Sequence, residues 1–275
     1  MAVSDELLIV DLDAGDADAG MALSTEAGWT QTADDWRHFI ETGHAIGVRD
    51  GDGRLIASAA ALPYDGPLGY IGMVLVTQSW RRRGIATRLV DRCIEALEGR
   101  NLVPVLDATA AGEAVYSRQG FLPQFRFDRW QGTGGGGELA AGGADVSAVV
   151  NLDAAAFGAA RSSLMTDFLG RDGTQVLLAE GGEGFAMIRH GRRAWQAGPV
   201  VAPDQGTALD LVKQLMATAS GPVFIDVPQR WQAIGQWLTD AGFTVQRSFA
   251  RMALRRAEPF GDPSRLFAVA GPEFG

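Results

Sequence analysis

Apolar positions change their spacing between residues 71 and 97, and this change predicts the central unit of the fold. Residues 71–76 form a short apolar run rich in β-branched side chains, which is typical of a strand. From Ile85 to Leu97, apolar residues recur at helical spacing, which predicts a helix. An arginine- and glycine-containing turn separates the two. The pattern therefore predicts a strand, a loop and a helix in succession.

Shorter apolar runs around this unit predict a mixed sheet with flanking helices. Asp-Gly-Asp-Gly at residues 50–53 is a strong turn signal, and it predicts a hairpin between its neighbouring runs. Thr32 is placed to cap a helix with Asp35 at the reciprocal position, and Trp36 then lies on the buried face of that helix. The other predicted strands cover residues 7–12, 45–48, 55–62, 103–106 and 121–130, and the other predicted helices cover residues 17–27 and 113–118.

The turn before the central helix has the composition of an anion site. Gly84 and Ala86 carry little or no side chain, so a ligand can approach the backbone closely. The first turn of a helix has unpaired N–H groups, and its dipole favours negative charge. With Arg81, Arg82 and Arg83, these features suit a diphosphate. The alternative is a solvated basic helix start.

The second half of the chain repeats the first. Residues 120–130 align without gaps on residues 242–252, with Gly, Phe, Gln, Phe and Arg recurring. Upstream, Leu106-Asp107 is echoed by Ile225-Asp226, and Gly72-Met73-Val74 by Gly198-Pro199-Val200. Duplication of one structural unit explains these matches.

The second copy has lost the features of the anion site. Its loop has no arginine, carries the additional carboxylate Asp204, and includes Pro203, which has no backbone donor. Leu238 stands at the position of Tyr116. We expect the second copy to keep the fold and to lack the chemistry.

A glycine-rich stretch predicts the boundary between the copies. Gly132 is followed by four glycines at 134–137, and two more stand at 142 and 143. The predicted organisation is a domain at residues 1–131, a flexible linker at 132–145, and a second domain at 146–275.

Composition excludes several classes of partner. The net charge of −9 argues against nucleic acid or an anionic membrane, because phosphate binding needs a basic face. No apolar run is long enough to span a bilayer, so a cytoplasmic location is expected. Cys93 is the only cysteine, on the apolar side of the central helix, and it is predicted to be a packed side chain. The three histidines have no metal-ligand spacing, so no metal is expected.

Two motifs together resemble the GNAT superfamily of N-acyltransferases. Arg81, Gly84 and Ala86 match its Arg/Gln-x-x-Gly-x-Gly/Ala pattern after a strand, and the stretches 106–109 and 115–121 match its second half. The whole chain resembles tandem-GNAT proteins with an active first domain and a degenerate second one. The resemblance implies an α/β (α+β) fold class, with two GNAT folds in tandem, each a mixed, mostly antiparallel sheet flanked by helices.

The resemblance also implies a reaction and a cofactor. The reaction is acetyl transfer from acetyl-CoA to a primary amine of a small molecule or peptide, by direct attack in a ternary complex. The pantetheine arm would pair with the edge of Val74 and Val76, and Tyr116 would supply a proton or a hydrogen bond to the departing thiolate. The residues expected to hold the diphosphate are Arg81, Arg82, Arg83, Gly84, Ile85, Ala86 and Thr87.

The remaining assignments stay open at this stage. Asp107 is a candidate base for the amine, but Asp226 repeats it in the copy expected to be inactive, which favours a structural role. Glu26 and Asp65 are other candidates. Trp29 and Gln31 precede the helix cap and are predicted either to contact the acceptor or to pack a loop. The alternative function is a non-catalytic sensor of acyl-CoA, and the protein is expected to be a monomer or a homodimer.

Overall fold

Strands from both halves of the chain join in one mixed sheet of twelve strands within the residues that the computed structural model describes, 8–137 and 145–275. The first half contains strands β1 (Ile9–Asp11), β2 (His44–Arg49), β3 (Leu55–Pro63), β4 (Leu68–Val76), β5 (Val103–Thr109) and β6 (Phe121–Gly135), and helices α1 (Ala17–Glu26), α2 (Ala33–Thr42), α3 (Ile85–Glu98) and α4 (Ala110–Arg118). The second half contains strands β7 (Gln175–Leu178), β8 (Phe185–Arg189), β9 (Trp195–Val201), β10 (Ser220–Pro228), β11 (Thr244–Leu254) and β12 (Leu266–Ala268), and helices α5 (Val146–Phe157), α6 (Ser162–Gly170), α7 (Gln205–Thr218) and α8 (Gln232–Asp240).

Local sequence signals explain the elements of the first half. Thr32 caps α2 as predicted: its hydroxyl accepts from the Asp35 amide at 3.2 Å, and the Asp35 carboxylate accepts from the Thr32 amide at 2.8 Å. Trp36 is fully buried and donates its indole N–H to Ser24 at 3.0 Å. Cys93 packs in the core between α3 and the sheet. Leu7, the first residue of the predicted strand at 7–12, lies outside the described residues.

The two halves exchange their last long strands. The order across the sheet is β1-β2-β3-β4-β5-β11-β6-β10-β9-β8-β7, so β11 of the second half pairs with β5 of the first. Strand β6 of the first half pairs in turn with β10 of the second. Each half therefore completes the sheet of the other.

A buried ion pair accompanies each exchanged strand. Asp107 lies directly opposite Arg251, and its carboxylate accepts two hydrogen bonds from the guanidinium at 2.9 and 2.8 Å. Asp226 lies directly opposite Arg129, with the equivalent bonds at 2.9 and 2.7 Å. Burial alone would lower the pKa of each arginine, yet the facing carboxylate helps raise it above its ordinary value, so both stay charged. The two pairs hold the exchanged strands in register.

The predicted linker is shorter than its glycines suggest. Strand β6 continues to Gly135, past the expected boundary at residue 131, and Gly136 and Gly137 still donate to carbonyls at the end of α7. A Cβ on Gly134 would lie 2.2 Å from the Ala219 carbonyl oxygen, and one on Gly132 would lie 2.5 Å from the Phe243 ring. These glycines permit close packing of a strand, which composition alone does not distinguish from flexibility. The remainder of the predicted linker, 138–144, lies outside the described residues.

Candidate active site

The site begins where β4 and β5 separate. The two strands pair in parallel only from Leu68 to Ile71 on β4, and beyond Ile71 no pairing joins them. Met73 has a positive φ of 53°, within the irregular stretch where the register of β3 against β4 shifts between Ser58 and Ala60. The separation opens a cleft between the two strands. Along this cleft, the edge of β4 that faces β5 has backbone groups at Val74 and Val76 that β5 does not pair.

The predicted phosphate loop lies at one end of this cleft. Arg82 and Gly84 have positive φ values of 62° and 75°, and α3 begins at Ile85 with no side chain capping its N-terminus. In a helix, the amides of the first turn have no intrahelical acceptor. A Cβ on Gly84 would meet nothing within 4 Å, so the approach to these amides is open.

The neighbouring arginines shape the loop as well as charging it. Arg81 donates its Nε–H to the Val76 carbonyl at 2.9 Å, and Arg83 donates to the Ser79 carbonyl at 3.2 Å with its guanidinium over the Trp80 ring. The residues from 81 to 84 are exposed to solvent. The structure thus places the predicted cofactor residues along one stretch, with Val74 and Val76 on β4 and residues 81–87 in the loop and the first turn of α3.

A cavity of about 130 Å³ lies where the cleft opens between the two halves. Trp29, Gln31, Asp107 and Tyr116, which the sequence singled out separately, all line it. Sequence reasoning did not find the contribution of the second half, whose lining residues include Phe224, Gln246, Arg247, Phe249 and Glu273. Their proximity follows from the exchange of strands, which no local pattern in the sequence indicates.

Tyr116 is the proton donor best placed by the fold. Helix α4 brings its ring edge-on to Phe121 at a centroid distance of 6.1 Å, and its side chain lines the cavity. Burial raises the pKa of Tyr116 to about 12. The phenol therefore stays protonated at neutral pH and can donate a hydrogen bond to a departing thiolate. It is a weaker acid than a thiol, whose pKa in free cysteine is about 8.5, so it passes its proton to sulfur only when it regains one from the attacking nitrogen.

Asp107 is a poor candidate for a base. Its carboxylate is fully buried, and both oxygens accept from Arg251, as both oxygens of Asp226 accept from Arg129. Because the same Asp–Arg ion pair occurs in both halves, a structural role for Asp107 is favoured over a catalytic one, as the repeat in the sequence suggested. Glu26 and Asp65 do not line the cavity: Glu26 accepts from the Gln78 amide at 2.6 Å, and Asp65 is exposed.

The loop that carries Trp29 and Gln31 is held by the second half. The Arg192 amide donates to the Thr30 carbonyl at 2.8 Å, and the Arg192 side chain donates to the Trp29 carbonyl at 2.6 Å. Arg193 also donates to the Gly28 carbonyl. Gln31 is buried, and its side-chain Oε1 has no hydrogen-bond partner in the described chain. An unpaired buried acceptor on the cavity wall is suited to a donor on a ligand.

Glu273 is the second carboxylate of the cavity wall. It is only 6% exposed, and no arginine of the described chain forms an ion pair with it. Burial raises its pKa above the ordinary value for glutamate, with Arg129 acting in the opposite direction. The repeat ends before this residue, which is why the comparison of the two halves did not indicate it.

The corresponding cleft of the second half is filled by the chain itself. Strands β9 and β10 pair in parallel from Trp195 to Ala197 on β9, and β12 then pairs with β9 at Val200 and Val201. The Val269 amide donates to the Asp226 carbonyl of β10 at 3.0 Å. At the helix N-terminus, Asp204 caps α7 by accepting from the Thr207 amide at 2.9 Å. Both the free strand edge and the free helix end of the first cleft are thus occupied here.

Neither a metal cluster nor a membrane span adds to this site. Within residues 8–137 and 145–275, no group of three or more His, Cys, Asp or Glu side chains is arranged to hold a metal ion. None of the helices in those ranges combines the length and the apolar character needed to cross a bilayer.

A split sheet with a glycine-started helix beside it defines the acetyltransferase class of α/β fold, and comparisons with known families agree. Residues 17–121 match the family model described as acetyltransferase (GNAT) family, and residues 149–268 match the one described as acetyltransferase (GNAT) domain. Together the matches cover more than half of the chain. The protein therefore belongs to the GNAT superfamily of acetyltransferases, with two GNAT domains in tandem. The predicted fold class is confirmed.

Relatives in sequence and structure carry the same assignment. The uncharacterized N-acetyltransferase YitH of Bacillus subtilis is 26% identical over 81% of this chain and 83% of its own. The aminoglycoside 2'-N-acetyltransferase of Mycolicibacterium fortuitum is 33% identical over 36% of this chain, and the match spans half of that enzyme. The crystal structure of a proposed acetyltransferase from Pyrococcus horikoshii has a TM-score of 0.79 at 20% identity, covering 98% of this chain and 96% of that one.

Proposed function

We propose that this protein transfers an acetyl group from acetyl-CoA to a primary amine by direct attack within a ternary complex. The observation that carries the proposal is that β4 connects three features. Val74 of β4 lines the cavity that holds Tyr116, the strand has a free edge beyond Ile71, and the chain continues from the end of β4 through the arginine loop to the uncapped start of α3. An N-acetyltransferase needs these three features in this order.

The first cleft fits coenzyme A. The open amides at the start of α3 and the exposed arginines suit a diphosphate, and the edge at Val74 and Val76 suits an amide-bearing arm. Bound acetyl-CoA would supply an activated thioester. Because Asp204 caps α7 and β12 covers β9, the second cleft offers neither feature, and we infer one cofactor site per chain.

Residues of the chain then have separate roles in the reaction. The amine nitrogen forms a bond to the thioester carbonyl carbon, and the carbon–sulfur bond breaks. A base in the cavity first takes the proton of the ammonium form of the amine. Tyr116 then gives its hydroxyl proton to the departing sulfur and regains one from the nitrogen that has attacked. Trp29 and Gln31 form the wall against which the acceptor is oriented.

Two measurements test this function. Calorimetry on the intact protein should show acetyl-CoA binding with a stoichiometry of one per chain. A thiol-release assay should then show turnover with at least one of four amines: tryptamine, spermidine, glucosamine or tobramycin. The last is included because one relative acts on aminoglycosides. Binding without turnover would favour the alternative, a sensor of acyl-CoA, and absence of binding would remove the transferase assignment.

A further inference from the structure

The residue that accepts the proton of the amine is not among those that the sequence indicated. Two carboxylates line the cavity, Asp107 and Glu273. Asp107 has both oxygens engaged by Arg251, so accepting a proton would break a buried ion pair. Glu273 has no such partner among the described residues.

The segment that carries Glu273 is fixed on both sides. Phe274, the next residue, stacks on Phe39 of α2 at a centroid distance of 4.9 Å and meets Phe168 of α6 edge-on at 5.1 Å. Its carbonyl accepts from the Tyr64 hydroxyl at 2.8 Å and from Arg161 at 2.9 Å. A group held this firmly can act at one defined point.

Glu273 lies near the start of the split between β4 and β5. A Cβ on Gly72 would lie 2.5 Å from the Glu273 carbonyl oxygen, so the backbone of residue 273 packs directly on β4. Gly72 is the residue after Ile71, the last paired position on β4. The backbone of Glu273 therefore lies over the face of β4 where the split begins, and Glu273 lines the same cavity as Val74, on the strand along which the thioester is proposed to lie.

The charged groups that act on Glu273 come from both halves of the chain, and each is held by another partner. Arg129 of β6, Arg189 of β8 and Asp35 of α2 act on it, while Arg247 and Tyr116 share the cavity. Arg129 is held by Asp226 and Asp35 by Arg171. Arg189 donates to the carbonyls of Gly198 and Ala270 at 3.0 and 2.6 Å.

We propose that Glu273 is the catalytic base of the first domain: it takes one proton from the acceptor's ammonium group, and the neutral nitrogen then attacks the thioester carbonyl carbon. The second proton that this nitrogen loses passes by way of Tyr116 to the departing sulfur as the carbon–sulfur bond breaks. This inference rests on the proposed transferase function. Alkyl ammonium groups have pKa values near 10, as in lysine, so an amine arrives protonated at neutral pH and needs such a group. Glu273 and the unpaired Oε1 of Gln31 both accept hydrogen bonds, which makes cationic amines the favoured class of acceptor.

The experiment compares Glu273→Gln with the wild type and with Glu258→Gln, an exposed glutamate of the same terminal region. Rates are measured from pH 5.5 to 9.5 with whichever of the four amines named above gives the highest turnover. We expect kcat of E273Q to fall about 100-fold, within the range of general base catalysis, with acetyl-CoA affinity and thermal stability unchanged. E258Q should behave as the wild type.

The pH profile separates a base from a structural role. Because the pKa of Glu273 lies above its ordinary value, wild-type kcat should rise with pH through that pKa and then level off. In E273Q this step should be absent, and the residual rate should keep rising toward the pKa of the amine. Glu273→Asp should retain the step at a reduced kcat, and it decides the matter if E273Q does not fold.

Two results would overturn the assignment while leaving the transferase intact. One is an E273Q rate within about threefold of the wild type with the same pH profile. The other is an E273D variant without a pH step in an enzyme that still binds acetyl-CoA. A wild-type protein that binds acetyl-CoA and acetylates none of the four amines would overturn the base and the proposed function together.

Discussion

The two halves of the molecule share a fold but differ at the place where a cofactor would enter. In the first half, β4 and β5 diverge to leave a free edge, and Gly84 starts α3 without a cap. In the second half, β12 covers the equivalent edge and Asp204 caps α7. The comparison shows that one fold can leave these backbone groups open in one half and satisfy them with the chain's own strand and carboxylate in the other.

The segment from residue 266 to residue 275 packs against both clefts. A Cβ on Gly198 would lie 2.1 Å from the Val269 carbonyl oxygen, just as one on Gly72 would meet the carbonyl oxygen of Glu273. Residues 266–269 of this segment thus fill the cleft of the second half, and Glu273, a few residues later, forms part of the wall of the cleft in the first half. The second half thus contributes to the candidate active site through this segment, through β11, and through the arginines that hold the loop carrying Trp29.

The strongest test of the comparison concerns the two buried ion pairs. Asp107→Asn and Asp226→Asn should each lower the free energy of unfolding by about 3–5 kcal/mol, because each leaves a buried arginine without its partner. Urea denaturation measures both. Similar losses in the two variants would support a structural role for Asp107. If D107N instead abolished turnover while keeping wild-type stability, Asp107 would be catalytic.

Tyr116 distinguishes the halves chemically, since Leu238 replaces it in the second. Tyr116→Phe should lower kcat about 100- to 1000-fold, because the thiolate then departs without a proton donor. Acetyl-CoA affinity, measured by calorimetry, should not change. A wild-type rate in this variant would show that the phenol plays no part in protonating the sulfur.

The residues at the N-cap positions of α3 and α7, Gly84 and Asp204, can be interchanged. Gly84→Asp should weaken acetyl-CoA binding about 100-fold, or about 3 kcal/mol, because a carboxylate would take up the free amides and repel the diphosphate. The matched control is Asp204→Gly, which should leave one binding site per chain, since β12 still covers β9. A second site in D204G would mean that the cap, and not the strand, closes the second cleft.

The smallest expected effect concerns the loop that carries Trp29 and Gln31. Arg192→Ala removes the side-chain hydrogen bond to the Trp29 carbonyl and keeps the one from the backbone amide. The KM for the amine should rise about fivefold, the equivalent of about 1 kcal/mol, with kcat and acetyl-CoA affinity unchanged. Arg100→Ala, an exposed arginine at the end of α3, serves as control. Equal KM values in both variants would show that the second half does not position this loop.

Local patterns predicted the parts of the site that lie close together in sequence. The strand, the loop with Gly84 and the helix form one continuous stretch, so their spacing alone specifies the turn and the free amides. The position of Tyr116 followed from a motif of the same kind. Glu273 could not be found in this way, because its role depends on packing against Gly72, some 200 residues earlier.

The glycines of residues 132–137 show the opposite difficulty. Glycine removes a side chain, which permits both flexibility and very close contact, and the sequence does not say which applies. Only the position of Ala219 and Phe243 beside β6 shows that close contact is the reason.

The sequence by itself determined that this chain holds two related units and that one of them has an arginine- and glycine-containing turn before an uncapped helix, because periodicity, capping and turn chemistry act over a few residues. The tertiary structure decided which strands pair, which carboxylates are neutralised, and which residues meet in the cavity. Those outcomes depend on contacts between segments far apart in the chain, and the exchange of β6 and β11 is selected by the packing of the whole sheet.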